Sequence, residues 1–203
     1  MPKVQTENSY LGAKLKLRID NLPAGETIRV LDCFSAHGTL WREIKRLTGR
    51  KIEVLRMKER TGLTGIYLEG DNLKFLAEMD LSGFDVIDLD AFGVPADQLE
   101  LVLPRAQDGT VIFVTFIQSV MGVMPMKLLN ANGLTDEMIK KAPTLFGKSG
   151  WKYFLNFLAL NGVKKVRAYN YSRKHYLAFV KGETGQRVSG YGSRPADKVA
   201  DHA

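Results

Sequence analysis

Two short stretches of this 203-residue chain put polar side chains where an otherwise apolar strand ends. The first is VLDCFSAHGT, residues 30–39. An apolar run reaches Asp32, passes through the small residues Ser35, Ala36 and Gly38, and enters WREIKRLTG, which has helical spacing. A turn of small residues lets a ligand approach the backbone, and the helix behind it offers free amides and the positive end of its dipole. The turn is neither the G-x-G-x-x-G of a dinucleotide fold nor a P-loop ending in G-K-[ST]. A polar ligand and a plain tight strand-to-helix connection both fit it. The second stretch is FDVIDLDAFGVP, residues 84–95, with Asp85, Asp88 and Asp90 in an apolar run. Asp85 falls at the strand entrance and reads as structural. Asp90 falls at the carboxyl end, where its carboxylate can accept hydrogen bonds from an amine while Phe92 offers a flat base an aromatic face. Aiming a nitrogen lone pair at an electrophile is chiefly a matter of orientation. The competing reading makes Asp90 a helix cap and Phe92 a core residue.

The elements that must position these groups alternate. Seven β-rich runs fall at 28–32, 51–57, 64–69, 84–90, 110–118, 163–171 and 175–181. Between them, TLWREIKRLTG puts Leu40, Ile44 and Leu47 on one face, with Gly49 at the C-cap position. DNLKFLAEM and PADQLELVLPRA continue the alternation, with Pro95 near the first turn of the latter and Pro104 ending it. In SGWKYFLNFLALNG, Ser149 can cap, Trp151, Leu155 and Leu158 form a buried stripe, and Asn161-Gly162 terminates. Near-continuous apolar strands alternating with helices predict a parallel sheet covered on both faces. The last two strands, separated only by SRK, are too close for a parallel crossover and must form an antiparallel hairpin. The fold class expected is therefore α/β, a Rossmann-like doubly wound sheet of seven strands, mostly parallel with a C-terminal antiparallel hairpin. Residues 1–27 read as an N-terminal extension, in which NSYLGAKLKLRI has both helical and alternating spacing. Residues 28–181 form the domain, with 119–148 an insertion after the fifth strand, and the Gly-rich polar segment 182–203 reads as a flexible tail.

Composition narrows the setting. The chain can bury one substantial core, and its single cysteine, Cys33, permits no intrachain disulfide. His37, His175 and His202 are too scattered for a zinc spacing, so no metal is expected. No window approaches the ~20 apolar residues of a membrane span, and the N-terminus has no signal-peptide run. A cytoplasmic protein without a membrane partner is expected. The net charge of +7 is segregated: residues 42–60 hold eight Lys/Arg and three acids, 61–139 three and twelve, and 140–187 eleven and one. Basic segments flanking an acidic middle suit a polyanion such as RNA or DNA, although basic runs also occur as solvated helix faces.

VLDCFSAHG resembles the first motif of the tRNA guanine-N2 dimethyltransferases, which runs Asp, two residues, Ser-Ala-x-Gly. IDLDAFGVP resembles their D-P-F-G-S-P motif, and EGDNLKFL their Gly-Asp segment. The resemblance covers about residues 28–118 in order and spacing, and the parallel sheet ending in an antiparallel hairpin is likewise the architecture of class I S-adenosylmethionine-dependent methyltransferases. It implies S-adenosylmethionine as cofactor, with Asp32, Ser35 and Gly38, and beside them Phe34 and Ala36, lining its methionine part. Asp71, with Asn72, would lie near the adenine. It also implies that Asp90 and Phe92 face the target amine. The sequence departs from the pattern at Ala91, where the family has proline, and at Lys58, where the ribose-binding acid normally ends the second strand: either the turn register shifts so that Glu59, one residue on, binds the cofactor's ribose, or the cofactor is held differently. The chain also lacks the family's large C-terminal RNA-binding domain. The resemblance thus implies a methyltransferase acting on an exocyclic amine of a base in RNA or DNA. A degenerate methyltransferase fold serving as a non-catalytic nucleic-acid- or partner-binding module is the alternative. A nicotinamide enzyme, whose 2′-phosphate a lysine after the second strand could meet, lacks its glycine fingerprint.

Overall fold

The computed structural model describes residues 10–35, 38–58, 67–118, 124–142 and 149–182. Ala36, His37, Glu59, the start of the third predicted strand and residues 183–203 of the predicted tail lie outside them. Seven strands form one sheet in the order β3-β2-β1-β4-β5-β7-β6: β1 (Thr27–Asp32), β2 (Lys51–Lys58), β3 (Tyr67–Glu69), β4 (Val86–Leu89), β5 (Val111–Ile117), β6 (Arg167–Tyr171) and β7 (Lys174–Val180). The first five are mutually parallel, and β7 runs antiparallel to both β5 and β6. The predicted sheet and its hairpin are present. Their connection is shorter than SRK, because Tyr171 pairs with Lys174 and only Ser172 and Arg173 turn the chain.

Helices cover both faces. α1 (Leu11–Ile19) and α2 (Thr39–Thr48) pack on one side, where Leu17, Trp41 and Ile44 meet Ile28, Val30, Val86 and Phe113. α3 (Asn72–Glu78), α4 (Ala96–Val102), α5 (Met126–Ala131), α6 (Asp136–Lys141) and α7 (Gly150–Leu160) lie on the other, where Leu76, Leu99, Leu128 and Phe154 meet Leu31, Ile87, Ile112 and Leu177. This division follows from the period of two along each strand, which sends Val30, Asp32, Val86, Asp88, Thr115 and Tyr176 to the α1 face.

The ambiguous NSYLGAKLKLRI resolves as helix from Leu11. Its alternating apolar residues mimic a strand because α1 buries a charged residue, Arg18, at 1% exposure beside Leu17. Gly49 ends α2 with φ 65° and its N–H on the Lys45 carbonyl, the expected left-handed C-cap. α4 stops at Val102, two residues short of Pro104. Ser149 departs from expectation: it precedes α7 but its side chain makes no cap bond. Its backbone, at φ −103° and ψ 14°, lies outside the extended region from which a capping hydroxyl reaches the first-turn amides. α5 and α6 give order to the predicted insertion, and Thr135 caps α6 through the Met138 N–H at 3.3 Å.

Candidate active site at the carboxyl ends of β1 and β4

The parallel strands bring the carboxyl ends of β1 and β4 side by side, with Asp32 in register with Asp88 on the same face. Apolar strand sequence fixes this edge deep in the sheet, and α1 lies across it. Four residues along a helix span about 6 Å, and two along a strand about 6.6 Å. Lys14 and Arg18 therefore match Asp90 and Asp88. Arg18 donates to Asp88 through Nε at 2.8 Å and Nη2 at 2.6 Å, and Trp41 Nε1 adds a third bond to Asp88 at 2.9 Å. Lys14 Nζ lies 2.8 Å from both oxygens of Asp90, whose Oδ1 also accepts from Thr115 Oγ1 at 2.6 Å.

The electrostatics follow from these contacts. Burial opposes ionisation of Asp90, but the charges of Arg18 and Lys14 and the bonds from Lys14 and Thr115 outweigh it and hold the carboxyl below its usual range. Among the described residues no side-chain cation bonds Asp32. Burial first, then repulsion from Asp88 and Asp90, pushes it up to about 8, against the bond its Oδ1 accepts from the Phe34 N–H at 3.4 Å. With Asp32 protonated, two carboxylates balance two cations. A cationic ligand arriving beside Asp32 would let the third carboxyl ionise.

The turn after Asp32 is fastened from the far face. Asn72 Nδ2 donates to the Cys33 carbonyl at 3.0 Å, and Gln98 Nε2 donates to Asn72 Oδ1 at 3.1 Å. Asn72, expected at the cofactor, thus has its amide engaged in holding the loop. Asp71 caps α3 by accepting from the Leu73 N–H at 2.9 Å. The Ser35 hydroxyl is buried and finds no hydrogen-bond partner among the described residues. Phe34 is half-buried against the apolar core. Gly38 sits at φ 64°, where a Cβ would come within 2.7 Å of Arg56 Nη1. Arg56, in register with Asp32 on β2, is therefore a neighbour of this turn that the motifs did not indicate.

The reading of Asp90 as a helix cap with Phe92 in the core does not hold. α4 begins behind Pro95 without a side-chain cap, and Phe92 is 74% exposed. Asp85 is structural as expected, accepting from the Arg29 N–H at 2.7 Å. Ala91 changes how the turn is held: its N–H, which proline would lack, donates to the Leu89 carbonyl at 2.8 Å, and the Ile117 N–H bonds Gly93 at 2.8 Å. Lys14 and Arg18 are the functional-edge residues that motif reading missed. The sequence offered only a matching spacing: two acids two apart on a strand can meet two cations four apart on a helix.

No family model and no curated protein matches the sequence. Solved structures do. Trm1 from Pyrococcus horikoshii, in complex with S-adenosyl-L-methionine, superposes with a TM-score of 0.57 at 20% identity, over 89% of this chain and 58% of its own. The CurJ carbon methyltransferase gives 0.54 at 14% identity, over 84% and 54%. A predicted rRNA methylase from Clostridium thermocellum gives 0.52 at 12% identity, over 86% and 97%. The chain has the class I methyltransferase fold. It spans little more than half of Trm1 and CurJ and nearly all of the C. thermocellum protein. The methyltransferase resemblance drawn from the motifs is thereby borne out for the fold. Among the described residues no helix is long and apolar enough to cross a membrane, and no cluster of potential ligands could hold a metal ion.

Proposed function

We propose that the chain is an S-adenosylmethionine-dependent methyltransferase that modifies an exocyclic amine of a base in RNA or DNA. The observation that carries this reading is a buried carboxyl, Asp32, that no cation among the described residues bonds, three residues before a buried Ser35 hydroxyl without a hydrogen-bond partner among them, at the first turn of a methyltransferase fold. Both groups fit the cofactor: its cationic methionine end would pair with Asp32, and its polar atoms would engage Ser35 and the backbone at Gly38. When bound, the cofactor supplies an electrophilic methyl group on sulfur.

The chain's own residues then have distinct tasks. A carboxylate offers about four lone-pair sites. Lys14 takes one on each oxygen of Asp90 and Thr115 takes a second on Oδ1, leaving one on Oδ2. Asp90, 21% exposed, can accept one N–H of a substrate amine there and fix the direction of its lone pair without displacing Lys14. The exposed ring of Phe92 offers the base a stacking face. No strong base is required, since the nitrogen loses its proton after the methyl group has moved, so alignment and desolvation dominate. The second reading, a non-catalytic module, is favoured by one observation, the occupation of both Asp90 oxygens by Lys14. Incubation with S-adenosylmethionine carrying a labelled methyl group, and separate pools of total RNA, genomic DNA and protein, decides between them. Label in one nucleic-acid pool is expected. Cofactor binding without label in any pool would leave the module.

A further inference from the structure

We propose that the target base is presented on a single-stranded nucleic acid, which crosses the carboxyl rim of the sheet between Phe92 and the tip of the β6–β7 hairpin. This rests on the base-methylation reading and specifies how that substrate is held. The rim is continuous. Ile117 at the end of β5 donates its N–H to the Gly93 carbonyl in the loop after β4, and the next residue, Gln118, donates to the Arg173 carbonyl at 2.8 Å. Phe92 and Arg173 thus stand on backbone tied to the same strand end. They are separated by two strand spacings, or about 10 Å.

Each end of this path offers one half of what a nucleotide strand requires. Phe92 presents a ring at 74% exposure two residues after the recessed Asp90, 21% exposed, so a base stacked on it is held next to the strand end that carries the carboxylate. At the other end Arg173 is exposed in a two-residue turn that puts Ser172 at φ 40°. That conformation favours glycine or asparagine, so the turn's shape is kept at some cost. Behind Arg173, Tyr10, 40% exposed, stacks on Tyr171 at 4.0 Å, while Lys174 Nζ lies 5.9 Å from the centre of the buried Tyr176 ring. At this rim the hairpin tip carries two cations, Arg173 and Lys174, and no acid, whereas Lys165 and Arg167 lie at the opposite edge of the sheet beside Val111 and Val180. Aromatic faces next to cations are the means by which proteins hold unpaired strands. A paired base stays stacked in its duplex and cannot bring its edge to a carboxylate set behind Phe92 without being extruded. A large hollow at the amino ends of β1, β2 and β4 mixes Arg29 and Lys51 with Glu53, Asp85 and Asp108, and offers a polyanion no uniform sign.

The test is fluorescence anisotropy with labelled single-stranded RNA, single-stranded DNA and their duplexes, each about 12 nucleotides, a length within known site sizes. Wild type, Phe92→Ala and Arg173→Gln are compared, with melting temperature and S-adenosylmethionine affinity measured on each to establish folding. The 203-residue chain should bind a single strand at least tenfold tighter than duplex, and the two single-strand arms identify the sugar. Phe92→Ala should weaken single-strand binding by roughly 5- to 150-fold, as expected for one lost base stack. Arg173→Gln should lower the slope of log affinity against log salt by about 0.7. Equal affinity for duplex and single strand, or folded variants with wild-type affinity and salt slope, overturns the proposal. Methyl transfer that is indifferent to both variants also overturns it and leaves the methyltransferase reading standing. Rim-dependent single-strand binding without methyl transfer supports the path and sinks the enzymatic reading alone.

Discussion

Arg18→Met removes the one guanidinium that neutralises Asp88 while keeping a side chain of similar length in the same place. Arg18 is 1% exposed and Asp88 fully buried, and the substitution deletes two charge-assisted bonds at 2.6 and 2.8 Å and the bond from Arg18 Nη1 to the Lys14 carbonyl at 3.2 Å. Among the described residues, the Asp88 carboxylate then keeps only the bond from Trp41 Nε1. Breaking a buried ion pair from one side costs about 3–5 kcal/mol. The carboxyl has one escape, which is to take up a proton, and at pH 7 that costs about 4 kcal/mol, or 1.36 kcal/mol for each unit between the pH and the ordinary aspartate value. The two figures agree, so a loss of about 4 kcal/mol is expected at pH 7. The folded variant holds a proton that its unfolded chain releases above about pH 4. Its deficit therefore shrinks as pH falls, to about 1.5 kcal/mol at pH 5. Urea denaturation followed by tryptophan fluorescence at both pH values measures this. Arg18→Met/Asp88→Leu should recover most of the loss. A deficit below about 1 kcal/mol at pH 7, or one that is the same at pH 5, would refute the assignment of Arg18 as the counter-charge of a buried carboxylate.

Three further expectations follow from the same edge. Asp32 folds with its carboxyl raised from 3.8 to about 8, so the folded chain holds a proton that the unfolded chain gives up across that window. Stability should fall with rising pH there, and Asp32→Asn should gain on wild type in urea melts from about pH 4 to pH 8 and level off above. Lys14→Met removes a cation from a site that Arg18, Asp32, Asp88 and Tyr176 also face, and Asp90 should rise; the acidic limb of the methylation profile should move to higher pH, with Lys14→Arg restoring it. Gly38→Val meets both a left-handed backbone and Arg56, and should lower the melting temperature and cofactor affinity together.

Much of the fold was legible because its signals are local. The apolar strand runs, the Gly49 terminator and the impossibly short last connection each point one way, and all three appear in the structure. The motif turns were legible for the same reason: Asp85, Asp90 and Phe92 occupy the strand entrance, the carboxyl end and an exposed rim position. What escaped is non-local. Whether Lys14 and Arg18 are solvated cations or buried partners depends on residues 76 and 70 positions away. Arg18 also breaks the apolar face of α1, which is why that helix read ambiguously. Ser149 has the right type and position for a cap, and only the backbone angle imposed at the start of α7 prevents it. Asn72 has the right place for the cofactor, yet its amide holds the Cys33 carbonyl. Ala36 and Glu59, read from the motif and the turn register, lie outside the described residues.

Calorimetric titration of the wild-type protein with S-adenosylmethionine across pH 6 to 8 tests the central claim, that the turn after Asp32 receives a cationic cofactor. A permanent cation beside Asp32 must drive off the proton that the carboxyl carries below about 8. The account predicts one-to-one binding that tightens nearly tenfold per pH unit between 6 and 7 and flattens near 8, with close to one proton released to the buffer at the acid end. Asp32→Asn should abolish that pH dependence. Binding at constant affinity without proton release, or no binding by the folded protein, would contradict it.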